Sequence, residues 1–84
     1  MKSPEIKKLV DKYSSTQIEM CILQQLAKGE NECGIVKGSD DEVIQALSKA
    51  EVVREMMDQG MKFSDALREL GRRIRAVYGR KKGP

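Results

Sequence analysis

Apolar and polar positions alternate along this chain with the period of α-helices. Ile6, Leu9, Val10 and Tyr13 follow the i, i+3, i+4, i+7 spacing that lines one face of a helix. Ser3, Pro4 and Glu5 ahead of them make a good start: a capping hydroxyl, a proline where no amide hydrogen is needed, and an acid near the positive end of the helix dipole. Ser14, Ser15 and Thr16 interrupt this helix. Thr16 and Glu19 have the spacing of a capping pair for a second one, which Gly29 is suited to end in a left-handed conformation.

In the second helix Ile18, Met20, Ile22, Leu23, Leu26 and Ala27 cover well over half the circumference, leaving Gln17, Gln24 and Gln25 for the wet side. A helix this apolar is expected at the centre of the fold, with Leu26 in the core. The following segment, GENECGIVKG, is rich in glycine and reads as a connector with at most a short extended piece at Ile35 and Val36. Gly29 and Gly34 have the spacing of the glycines in a phosphate-binding loop. Ile35, however, stands where the phosphate-gripping lysine belongs, and Glu30 and Glu32 would repel a polyphosphate.

Ser39 and Glu42 form another capping pair, with Asp40 and Asp41 complementing the dipole of a third helix. Ser48 and Glu51 repeat the spacing inside it. Val43, Leu47 and Ala50 share one face, whereas Val52 and Met56 fall on the opposite side of a straight helix, a pattern that favours a bend at Ser48. On an unbent helix Val52, Val53, Met56 and Met57 would instead form an apolar strip in need of a partner; the plainer reading is core packing. Gly60 closes this segment. Ser64 is placed to cap a last helix whose Ala66, Leu67, Leu70, Ile74 and Val77 share a face and which Gly79 would stop.

The pattern therefore predicts an all-α protein: a small irregular, orthogonal bundle of four or five helices in a single domain over residues 1–79, followed by a flexible basic tail at 80–84. At 84 residues the chain has room for one modest core, and self-association would widen a thin stability margin. With one phenylalanine, two tyrosines and no tryptophan, little flat apolar surface is available to line a large ligand pocket.

Charge is divided unevenly. Residues 66–84 hold seven basic residues and one acid, while residues 1–65 are net acidic. Arg68, Arg72 and Arg75 lie within a narrow arc of the last helix, and Arg80, Lys81 and Lys82 continue the charge into the tail. Guanidinium groups so arranged suit phosphate contact, and a solvated helix whose cations complement its own C-terminal dipole would look the same. The stretch DQGMKFSD is a loose fit to a helix-turn-helix, and Asp65 and Glu69 oppose phosphate at the entry of the second helix.

Candidate chemistry is sparse. Histidine is missing from the sequence, and no nucleophile, base and electrophile converge on a recognisable pattern, so no catalytic role is expected. Cys21 and Cys33 are too few for a self-contained zinc site, and neither a metal nor another cofactor is expected. They read as a semi-buried helix thiol and a loop thiol in a reduced compartment, the alternative being a Cys21–Cys33 disulfide. No long apolar run and no apolar signal core are present, so the expectation is a cytoplasmic protein without membrane contact. The leading functional expectation is a non-enzymatic interaction module acting through an apolar helix face, as a homodimer or the small partner of a larger protein. The alternative is weak, sequence-independent nucleic-acid binding by the arginine face.

Overall fold

The described residues form four helices: α1 (Ser3–Lys12), α2 (Ser15–Lys28), α3 (Asp40–Asp58) and α4 (Phe63–Arg80). The computed structural model describes residues 3–35 and 38–80, with side chains described over 4–35 and 38–76. The all-α expectation holds. Val36, the side chains of Val77 and Arg80, and the tail residues Lys81 and Lys82 lie outside the described parts.

α1 buries Ile6, Leu9 and Val10, as its spacing requires. α2 begins two residues earlier than Thr16 and Glu19 suggest. Ser14 is the cap: its Oγ accepts from the Gln17 backbone amide at 3.2 Å, and Gln17 Oε1 accepts from the Ser14 amide at 2.8 Å. The same S-x-x-E/Q logic applies in both registers, and the earlier one adds a half-turn of helix while satisfying two otherwise free amides. Gly29 ends α2 as expected, at φ 75°, its N–H donating to the Gln25 carbonyl.

α3 starts where Ser39 and Glu42 place it. Glu42 donates its amide to Ser39 Oγ at 3.3 Å and accepts from the Ser39 amide at 3.0 Å, which holds the Glu42 carboxyl below the usual carboxylate range. The helix then runs unbroken through Ser48 to Asp58, so the expected bend is absent. Its length explains why two faces are apolar. α3 packs against α1, α2 and α4, which makes it the centre of the bundle in place of α2. Val43, Ala46, Leu47, Ala50, Val53 and Met56 are all buried along it. Most of the apolar side chains that a lone straight helix would leave uncovered meet a neighbour.

Beyond Asp58, Gly60 adopts φ 106° and Met61 donates its amide back to the Met56 carbonyl, closing the helix end. α4 begins at Phe63, where Ala66 donates to the Lys62 carbonyl, so Ser64 lies within the first turn and is not the cap. It continues through Gly79 to Arg80. Glycine weakens a helix interior by only about 1 kcal/mol, too little on its own to end a helix. α4 anchors through fully buried Ala66, with Leu67 and Leu70 packed at the edge of the core. A further tie joins α1 to α3: Arg54 donates from Nη1 to the Val10 carbonyl at 2.9 Å and pairs with Asp58 at 2.7 Å.

Candidate interaction surface

The strip Val52, Val53, Met56 and Met57 is mostly internal. Val53 and Met56 are buried in the core, and Val52 and Met57 are half-buried against it. With α1, α2 and α4 packed against α3, the chain itself covers most of this surface. Val52 lines an open surface. It contributes, with Ile44 of α3 and Leu70 and Ile74 of α4, to an apolar groove of about 350 Å³ whose remaining lining includes Ser48 and Lys49.

The exposed apolar side chains lie elsewhere. Met20, Leu23 and Leu26 of α2 are 51%, 53% and 64% exposed, whereas Ile18, Cys21 and Gln25 are buried. The expected orientation of α2 is thus corrected: Leu26 is on the outside and Gln25 on the inside. Gln25 is tolerated there because both ends of its amide are used. Nε2 donates to Asp40 Oδ1 at 2.6 Å, and Oε1 accepts from Asn31 Nδ2 at 2.8 Å. Asn31 also donates to the Ile35 carbonyl at 2.9 Å, so one buried glutamine organises the connector and the start of α3.

The connector is held a second time. Cys21 and Cys33 form a disulfide, with Cα atoms 6.0 Å apart, correcting the expectation of two free thiols. Glycines at positive φ on either side of it, Gly29 and Gly34, let the chain turn back so that Cys33 reaches the buried face of α2. Sequence spacing alone could not show that turn. Among the described residues no cluster of three or more side chains suited to a metal ion is present.

Arg68, Arg72 and Arg75 are exposed on α4, as expected, and Arg73, which the arc of arginines did not include, joins them. Acids of the same helix compensate much of this charge. Glu69 accepts from Arg72 at 3.0 and 2.6 Å and from Arg73 at 2.9 Å, while Asp65 lies 3.7 Å from Arg68. The hydrogen bonds from Arg72 and then Arg73 push the Glu69 carboxyl down to about 2, and Glu69 in turn raises Arg72. On the α2 side the charge is opposite. Glu51 is raised by burial first, and then by the nearby charges of Glu55 and Glu19.

These features define a small all-α bundle with a buried polar tie, one disulfide, an exposed apolar ridge on α2 and an apolar groove between α3 and α4. Residues 1–77 match the model of the family of unknown function DUF6952, and the chain belongs to that family. No curated protein and no solved structure matches it. Among the described residues no helix is long and apolar enough to cross a membrane.

Proposed function

We propose that the protein is a non-enzymatic interaction module that engages a protein partner through the apolar outer face of α2. The observation that carries this reading is the exposure of Met20, Leu23 and Leu26, three large apolar side chains along two turns of one helix. Full burial of a Leu or Met side chain is worth roughly 1.5–3 kcal/mol, and a partner's surface recovers the part that these half-exposed side chains forgo. Methionine beside leucine also suits a surface that adapts to its partner.

The test is affinity capture from an extract of the source cells with the parent chain and with a Leu23→Glu, Leu26→Glu variant. Both positions are exposed, so the variant retains its helix content by circular dichroism, and the module reading expects it to lose the captured protein. A variant that retains everything the parent captures sinks the reading.

A second reading has its own support in the exposed guanidinium groups of Arg68, Arg72, Arg73 and Arg75: contact with nucleic-acid phosphates. The pairing of Arg72 and Arg73 with Glu69 lowers the charge on offer, so this contact is weak and independent of base sequence. Changing Arg68, Arg72 and Arg75 to glutamine then lowers affinity for unrelated sequences equally and flattens its salt dependence by about one unit per lost phosphate contact. Tight, sequence-selective binding would reverse the order of the two readings.

A further inference from the structure

The α2 ridge and the α3–α4 groove are complementary to one another. The ridge is exposed and apolar, built from Met20, Leu23 and Leu26. The groove is concave and apolar, built from Ile44, Val52, Leu70 and Ile74. Their borders are opposite in charge. Glu19 stands exposed on the surface of α2, between Met20 and Leu23 on one side and Leu26 on the other. Lys49 lines the groove, and exposed Arg75 follows Ile74 in the chain. The groove's volume is at the low end of the small-molecule range, and the described residues that line it include no aromatic side chain, which favours aliphatic side chains over a flat ligand.

We propose that the occupant of the groove is the α2 ridge of a second copy of this chain. This rests on the reading of α2 as an interaction face and commits that face to self-association. The contact places Leu23 and its neighbours among Ile44, Val52, Leu70 and Ile74, with Glu19 brought towards the Lys49 side of the groove. A patch that matches a hollow elsewhere on the same molecule makes a contact between unlike surfaces, and such contacts have a signature: each copy can be disabled at one surface while the other remains usable. The contact is small, so the association is weak and reversible.

The experiment is analytical ultracentrifugation of the full chain from the low-micromolar to the millimolar range, alone and in mixtures. The parent is expected to gain mass with concentration. Leu23→Glu, which disables the ridge, and Ile74→Glu, which disables the groove, are each expected to weaken self-association by at least about tenfold, since each would bury an unpaired carboxylate. Mixed in equal amounts, the two variants are expected to form a one-to-one complex, because the first retains its groove and the second its ridge. Circular dichroism checks that each is folded. Should Ile74→Glu fail to fold, Lys49→Glu replaces it, reversing the charge that meets Glu19, and is expected to weaken association and to be rescued by Glu19→Lys in the partner copy.

A parent that stays monomeric throughout overturns the inference, as does a mixture of folded variants that remains monomeric. Loss of association on changing the ridge but not the groove also overturns it, since the ridge would then meet something other than the groove. A monomeric parent whose captured protein is lost on changing Leu23 and Leu26 would leave the interaction-module reading standing without self-association. Failure of both measurements removes both.

Discussion

Gln25 Nε2 donates to Asp40 Oδ1 across 2.6 Å, joining the last turn of α2 to the first residue of α3. The residues are 15 positions apart, and the connector between them contains Asn31, which donates to the other end of the Gln25 amide. A side chain that the sequence places on the wet side of α2 is thereby the organising contact of the connection between α2 and α3. Gln25→Ala removes the partner of half-buried Asn31 and is expected to cost about 1–3 kcal/mol in denaturant unfolding. A change below 0.5 kcal/mol, about the size expected of a surface substitution, would show that water replaces the network freely.

The disulfide stabilises the same connector by restricting the unfolded chain. For the loop closed by Cys21 and Cys33, 12 positions apart, the expected contribution is about 3 kcal/mol. Thermal unfolding of the parent is therefore expected to shift down on adding reductant, while a Cys21→Ala, Cys33→Ala variant unfolds at one temperature with or without it. Identical curves for oxidised and reduced parent would contradict a contribution of this size. A domain whose whole stability is about 5–15 kcal/mol would register it clearly.

Orientation of α2 is testable by a pair of truncations. Leu26→Ala is expected to change stability by no more than about 0.5 kcal/mol, because the side chain is already in water. Leu47→Ala, at a fully buried position in the middle of α3, is expected to cost about 2–5 kcal/mol. Equal losses at the two positions would place Leu26 in the core after all.

Two kinds of carboxyl give opposite responses to pH. Glu69 and Glu42 have lower pKa values in the fold than in the unfolded chain, so their contribution is complete above the usual carboxylate range and is lost as pH falls, for Glu69 down to about 2. Glu69→Gln is expected to flatten the fall in melting temperature over that acid range. Glu51 is raised, so folding disfavours its ionised form, and its cost appears as pH rises through the carboxylate range towards neutrality. Glu51→Gln is expected to raise the melting temperature at neutral pH and to have no such effect in acid. A melting temperature that falls at neutral pH would refute the assignment of Glu51.

Much of the local structure is determined by the sequence itself, because it depends on neighbours within four residues. The cap at Ser39 and Glu42, the left-handed turn at Gly29, the close at Gly60 and the core stripe of α1 all follow from groups that meet wherever the chain is helical. The exposed arc of Arg68, Arg72 and Arg75 is of the same kind.

Tertiary structure decided what the pattern left degenerate. On α2 apolar residues surround most of the axis, so periodicity does not choose a face; packing against α3 chose Ile18, Cys21 and Gln25 and left Met20, Leu23 and Leu26 outside. On α3 the two apolar sides fit either a bend at Ser48 or a straight helix with neighbours on both sides, and only the packing of α1, α2 and α4 against α3 distinguishes them. The partner of Cys21 and the bonds of Gln25 depend on where the connector turns, a long-range outcome of burial and chain reversal that no local spacing encodes.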